Sequence, residues 1–392
     1  MNKILTLIFV LFALIMPIAA QSFLQMGLDI DGEAAEDESG TSVCMPDGNT
    51  IAIGAYLNDG SSLNVGHVRI YSWNGSEWLQ KGDDIDGEAD QDRLGWSLDM
   101  PDNNTIAIGA YLNDGSEINS GHVRIYNWNG SAWIQKGADI DGEAADDRSG
   151  WSVSMPDANT VAIGAYQNGG NGNDAGHVRI YVWNEVAWIQ KGGDIDGEVA
   201  EDLSGHAVSM PDANTVAIGA HRNDAGSYHA GHVRIYFWDG LNWVQKGDDI
   251  DGEAADDYSG SAVNMPDANT VAIGAWGNDG NDLNAGHVRV YTWDGVTWTQ
   301  KGIDIDGEAA NDEFGYSISM PDANTIAIGA HRADGSGLDA GQAHIYKWDG
   351  STWMLLSSFD GELVGDESGC SVSMPNANTI AIGARYNSNS GY

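Results

Sequence analysis

A chain of 392 residues with 42% hydrophobic and 19% charged residues can bury a core, which excludes global disorder. Its formal net charge of −41 disfavours a phosphate backbone, so nucleic acid is not expected as a partner. Such a surface suits solubility, divalent cations or cationic partners.

Residues 1–20, MNKILTLIFVLFALIMPIAA, open with Lys3, continue as an apolar run and end on Ile18-Ala19-Ala20. This pattern predicts a secretory signal peptide, with the mature protein starting at Gln21. No later apolar run is long enough to cross a bilayer. The expected product is secreted or held at the cell surface, with no transmembrane segment once the signal is removed.

Residues 21–392 are built from one sentence repeated. Asp-Gly-Glu begins at Asp31, Asp86, Asp141, Asp196, Asp251, Asp306 and Asp360, in five steps of 55 residues and one of 54. A period of this length marks units that bury their apolar faces against neighbours. Repeat 3 shows four strand signals, A to D: Trp151 to Met155, Thr160 to Ala165, His177 to Trp183, and Ala187 to Lys191. A and B are joined by Pro156-Asp157-Ala158-Asn159, with proline at the first corner of a tight turn. C and D are joined in most repeats by Asn-Gly or Asp-Gly, as at Asn74-Gly75 and Asp239-Gly240. The B–C and D–A connections are longer and polar. Four short strands repeated without helical periodicity predict an all-β fold: a seven-bladed β-propeller of four-stranded antiparallel blades, the last incomplete. Both tight turns then lie on one face of the disc and both long acidic loops on the other, where recognition is expected.

Within strand C, His177, Arg179 and Tyr181 share a face, which predicts an inter-blade layer with the arginine on carboxylates or aromatics. Twelve of the 15 tryptophans flank the C–D turn in pairs such as Trp73/Trp78. They fit a cross-strand pair that pins the hairpin, or a stacking platform for sugar. Cys44 and Cys370 fall out of phase on their strands and so face opposite ways, which favours small buried thiols over a ring-closing disulfide. The seventh repeat shows A (Cys370 to Met374) and B (Thr379 to Ala384) and stops where C should begin. Phe23 to Gly27 resembles a spare strand D. The sequence is therefore expected to be a truncated fragment whose N-terminal strand joins the seventh blade.

Phe314-Gly315-Tyr316-Ser317, then Ile326-Ala327-Ile328-Gly329-Ala330, then Gly341 and a strand from Ala343 to Trp348 resemble the FG-GAP repeat of integrin-α-type β-propellers and their bacterial secreted relatives. The other repeats carry Ser or Leu for the Phe, and none keeps the final Pro. The resemblance covers residues 27 to 392. It implies a seven-bladed propeller used outside the cell for adhesion or protein binding. The family's calcium loop lies between A and B, where this chain has only Pro-Asp-Ala-Asn or a variant, so that site does not carry over.

Carboxylates instead recur on the D–A segment at spacing i, i+2, i+4 and i+8: Asp84, Asp86, Glu88 and Asp92; Asp139, Asp141, Glu143 and Asp147; Asp249, Asp251, Glu253 and Asp257. Alternate acidic residues around a glycine can supply oxygen ligands to Ca2+. They equally describe a turn capped by Asp with its other carboxylates solvated. Departures from the repeat mark the remaining candidate site. His206, His221, Arg222 and His229 gather in repeat 4, and His331-Arg332 echoes the pair in repeat 6. The expected function is a secreted binding or adhesion propeller with an extracellular protein or glycan ligand and no catalytic residue. The alternative is an extracellular polysaccharide hydrolase or lyase on the same fold.

Overall fold

Thr-Ile-Ala-Ile-Gly-Ala and its valine variants put six apolar or small residues in a row, which suits a strand covered on both faces. The computed structural model describes residues 23–224 and 226–387, so the expected leader at 1–20 lies outside the described residues. It places that hexapeptide in a strand in all seven repeats, from Thr50–Ala55 to Thr379–Ala384. In repeat 3 the sheet runs Ser152–Asp157, Thr160–Ala165, His177–Trp183 and Trp188–Gln190, antiparallel throughout. The described residues contain no helix, and hence none long and apolar enough to cross a membrane.

The fold is an all-β propeller; against the expected seven blades with the last incomplete, the described residues complete six. Six repeats form blades of four antiparallel strands, and the seventh contributes a two-stranded sheet, Ser368–Asn376 with Thr379–Ala384. Strands A of successive repeats pack against one another in a ring, with the seventh meeting the first. Strand A is therefore the innermost of each sheet. The ring is tied by repeated bonds: Met210 N donates to Ser154 Oγ at 3.0 Å, and Met45 N to Ser373 Oγ at 2.9 Å.

Three local details refine the strand boundaries. Pro156 is not a turn corner. Strand A continues through Asp157, with a register shift between Ser154 and Asp157, and the turn is Ala158-Asn159. Proline, lacking an N–H, is tolerated at such a bulge. Asp157 then accepts bonds from Asn159 N at 2.7 Å and Thr160 Oγ1 at 3.2 Å. Strand D is broken in repeats 1–5: Trp188–Gln190 and Ile195–Asp196 both pair with His177–Trp183. The break falls at Lys-Gly, where Gly192 has φ +83°. Repeat 6 lacks that glycine and one residue of length, and there the strand runs unbroken over Trp353–Asp360.

Gly274 of Ile-Gly-Ala explains the repeat's signature. A Cβ there would collide with the carbonyl oxygen of Gly315, the glycine of Phe-Gly in the next repeat. The two glycines let adjacent blades meet backbone to backbone. Serines beside this seam seal it, as where Ser97 Oγ donates to Gly150 O at 2.8 Å. Isoleucines and valines from strands B and C of adjacent blades then fill the spaces between sheets, for example Val68, Ile70, Ile106 and Ile108.

The tryptophan pairs pin the C–D hairpins. Trp128 and Trp133 pair directly across C and D with ring centroids 5.5 Å apart. Trp133 Nε1 also donates to Lys81 O of the preceding repeat at 2.7 Å, and Lys81 Nζ lies about 5 Å over both rings. Cys44 and Cys370 are free thiols, as their phase indicated.

Candidate functional site

Three positions of each repeat reach the rim of the central axis on the long-loop face. One residue leads into strand A, one follows strand B, and one stands two residues before the glycine that opens strand A. In repeat 3 these are Trp151, Tyr166 and Arg148. The third position has positive φ in every repeat without being glycine, from Glu38 (52°) through Arg148 (58°) to Glu367 (52°). Non-glycine residues held in this region are retained where the surroundings impose it.

An unbroken row of rings follows the rim through five repeats. Tyr56 meets Trp96 edge-on at 4.9 Å, Trp96 meets Trp151 at 4.6 Å, and Trp151 meets Tyr166 at 4.4 Å and His206 at 5.5 Å. His206 meets His221 at 3.9 Å, His221 reaches Tyr258 at 6.0 Å, and Tyr258 stacks on Trp276 at 4.6 Å. The tyrosines after strand B are buried, whereas Trp96, Trp151, His206 and Trp276 are half-buried and present ring surface to the rim. Arg93 and Arg148 are held against the row, with Arg148 Nη1 donating to Tyr166 OH at 2.8 Å. Beyond the row the rim turns ionic. Glu313 lies 3.6 Å from His331 and accepts from Arg332 at 2.8 Å, Arg385 pairs with Glu367, and Tyr56 OH donates to Glu38 at 2.9 Å.

The histidines picked out as departures from the repeat thus belong to two places. His206 and His221 are packed together inside the aromatic row. His229 lies further out, stacked on Tyr228 at 3.8 Å and 3.4 Å from Asp256. Arg222 is exposed. His331 and Arg332 sit on Glu313, in the ionic arc. Burial holds His206 down to about 4, with Arg222 adding to it and a Ser261 backbone bond opposing it. Burial and the neighbouring His206, Arg222 and His229 hold His221 well below the usual range, and His331 falls to about 3. Near neutral pH these three imidazoles are uncharged.

Trp96, Trp151 and Trp276 were missed, although a signal was there: they are the three tryptophans left over when the six pairs are removed. Arg93, Arg148 and Glu313 carried no signal beyond their departure from one another at a shared repeat position.

The acidic segments are arranged otherwise than a single cation loop would need. Asp84 accepts both Nε and Nη2 of Arg69 at 3.1 Å, while Glu88 pairs with Arg124 of the next repeat. Asp84 and Glu88 thus enter different clusters: Glu33, His67 and Asp84 in one, Glu88, His122 and Asp139 in the next. Asp86 and Asp141 are exposed opposite His67 and His122. Asp92 caps its own turn, accepting from Glu88 N at 3.1 Å, Ala89 N at 2.9 Å and Asn113 Nδ2 at 3.1 Å. Asp147 and Asp257 do the same for Glu143, Ala144, Glu253 and Ala254. Asp249 lies 3.7 Å from His232, and Asp251 is exposed opposite it. Burial works to raise Asp84 and Asp139, but the guanidinium bonds prevail and hold both below their ordinary value. Asp84 and Asp139 thus hold an arginine and Asp92, Asp147 and Asp257 hold backbone donors, while each Glu-His-Asp cluster brings three potential ligand atoms within 4.8 Å of one another.

Three solved structures show the fold. They are a candidate 6-phosphogluconolactonase from Bacteroides uniformis (TM-score 0.56, 10% identity, 81% of this chain and 84% of that one), Kuenenia stuttgartiensis hydrazine synthase (0.56, 13%, 91% and 98%), and a protein of unknown function from Desulfotomaculum acetoxidans (0.53, 11%, 86% and 87%). At these identities they speak to the fold alone. No curated protein gives a match to this chain. The FG-GAP repeat family model matches residues 298–346. The resemblance to FG-GAP repeats read from Phe314-Gly315 and Ile326–Ala330 therefore holds, on a β-propeller fold.

Proposed function

We propose that this chain is an extracellular binding propeller, of the adhesion kind, that recognises a glycan or a protein with the rim of its long-loop face. The observation that carries the reading is the unbroken row from Tyr56 to Trp276, because rigid rings backed by Arg93 and Arg148 give a stacking surface at little entropic cost. The row interrupts the repeat symmetry at the one face where loops vary, which is where a binding surface belongs. The leader-like residues 1–20 and the charge of −41 support an exported, soluble protein. The test is an array of soluble glycans and extracellular matrix proteins probed with the wild-type chain and with Trp96→Ala/Trp151→Ala. Ligands that the variant retains at full affinity would place recognition elsewhere.

A second reading, a polysaccharide hydrolase or lyase, is favoured by one observation. His206 and His221 are neutral, and the Nδ1 atom of each is buried with no hydrogen-bond partner among the described residues. Such a pair beside an aromatic platform can carry a proton only if closure of the site on a bound sugar brings one of its nitrogens within hydrogen-bond reach. Release of reducing ends or unsaturated sugars, abolished by His206→Ala with His221→Ala, would establish it.

A further inference from the structure

The chain carries 17 basic residues against 58 acidic ones. Ten of the 17 are the arginine of His-Val-Arg and the lysine of Gln-Lys-Gly, repeated blade after blade. Of the other seven, five stand on the rim positions or next to them: Arg93, Arg148, Arg222, Arg332 and Arg385.

One shared position, the positive-φ residue before strand A, divides the rim by sign. Repeats 6, 7 and 1, neighbours around the ring, place Glu313, Glu367 and Glu38 there, and repeats 2 and 3 place Arg93 and Arg148. The acidic arc is neutralised from within: Glu313 holds Arg332, Glu367 holds Arg385, and Glu38 accepts from Tyr56 OH at 2.9 Å. The basic arc is not. Among the described residues, Arg93, Arg148 and Arg222 have no carboxylate oxygen within 4.0 Å of a side-chain nitrogen, whereas every other arginine has one.

The partners of these three are rings. Arg93 lies 5.8 Å from the centroid of Tyr56 and 5.7 Å from that of Tyr111, and donates to Tyr111 OH. Arg148 lies 5.8 Å from the centroid of Tyr166 and donates Nη1 to its hydroxyl. Its Nε is buried with no partner among the described residues, which leaves Nη2 as the free donor. Asp174 acts on Tyr166 from the B–C loop but accepts from Asn173 at 2.8 Å rather than from Arg148. Arg222 is exposed beside His221, and its charge reaches His206 and Tyr258 as well. In a chain with carboxylates to spare, the three arginines left without one all border the aromatic row.

We infer that the rim ligand is an acidic polysaccharide, a chain of sugars bearing carboxylate or sulfate groups, whose rings lie on Trp96, Trp151 and Trp276 and whose acid groups meet Arg93, Arg148 and Arg222. The inference rests on the rim as the binding face. The row runs from Tyr56 in repeat 1 to Trp276 in repeat 5, so it takes several sugars rather than one. Ring faces select the sugar, and planar guanidinium forks select its anions. The net charge of −41 repels a polyanion from the rest of the surface and confines binding to this arc.

The experiment titrates the full chain by calorimetry at about 0.15 M salt, where the screening length is about 8 Å. The probes are polygalacturonate with its methyl-esterified, uncharged form, and dextran sulfate with dextran. The expected result is saturable binding of an acidic polymer at least about tenfold tighter than of its uncharged counterpart, as one charge-assisted hydrogen bond supplies. Preference for polygalacturonate assigns the anion as carboxylate, and preference for dextran sulfate assigns it as sulfate. Arg93→Gln with Arg148→Gln should abolish the difference between charged and uncharged forms. Arg222→Gln changes an exposed side chain with no hydrogen bond among the described residues, and it should reduce that difference in a protein of unchanged melting temperature. Uncharged forms bound as tightly as charged ones overturn the inference and leave the rim as the binding face. Absence of binding by both acidic polymers, or a preference that Arg222→Gln and the folded double variant leave intact, also overturns it. Acidic-polymer binding that survives Trp96→Ala/Trp151→Ala takes recognition off the rim and overturns both readings.

Discussion

The imidazoles of His206 and His221 face each other at 3.9 Å across the top of one blade, one leading into strand A and the other leaving strand B. Trp151 and Tyr166 pack against His206 from one side, and Tyr258 and His229 approach His221 from the other, with Arg222 adding its charge. Protonating either ring puts a cation among these groups with no carboxylate bonded to it.

The sign of the pH response follows. His206 has a folded value near 4 against an ordinary 6.5, so its neutral form is favoured by folding. Its contribution is complete above pH 6.5, erodes as pH falls and is exhausted below 4, a loss on the order of 3 kcal/mol. His206→Phe with His221→Phe should flatten that part of the stability profile. Chemical denaturation of both proteins between pH 7 and 4 checks it, and parallel profiles would contradict it.

Trp151 touches four rings, those of Trp96, Tyr111, Tyr166 and His206, and its truncation should act on recognition more than on folding. Trp151→Ala is expected to cost about 1–3 kcal/mol in ligand binding. Trp73→Ala, in an outer pair, should lower stability and leave the affinity of folded protein unchanged. Binding isotherms for the two variants separate the classes of tryptophan.

Arg124 is 5% exposed and holds Asp139 bidentately while reaching Glu88 across the blade interface. Arg124→Met should destabilise by about 2 kcal/mol, discounted from a fully buried pair because Glu88 is open to water. Arg124→Lys should recover little, since an ammonium cannot reproduce the fork. Urea denaturation midpoints at equal slope give the measurement.

Calcium can be tested directly. The arrangement of Asp84, Glu88 and Asp92 predicts that EDTA leaves the melting temperature unchanged. A fall restored by Ca2+ would reinstate the acidic segments as ligands.

The blade was legible because its signals are local and recur: Thr-Ile-Ala-Ile-Gly-Ala, the Asn-Gly turns and the alternation along His177–Tyr181 all describe one sheet. The inter-blade arginine was legible for the same reason. The rim was only half legible. His206 and His221 stood out by residue type, but Trp96 and Trp151 lie in different repeats, and only packing around a ring brings them into contact. Alternate acidic residues suggested convergence on one cation, yet the segment crosses from one blade to the next and takes Asp84 to Arg69 and Glu88 to Arg124. Pro156 misled because a proline before Asp-Ala-Asn fits a turn corner and a bulge equally well.

The brackets between blades join each blade to its neighbour in the chain, and several reach back to the blade before. Trp133 reaches back 52 residues to Lys81, Met210 back 56 to Ser154, and Arg124 back to Glu88. A blade leaving a ribosome or a secretion channel therefore finds its partner groups already made. Assembly can proceed vectorially from the N-terminus, each step closing a loop of one repeat and no more. The long closures, Met45 onto Ser373 and Ser371 onto Gly40, come last and join what is already built.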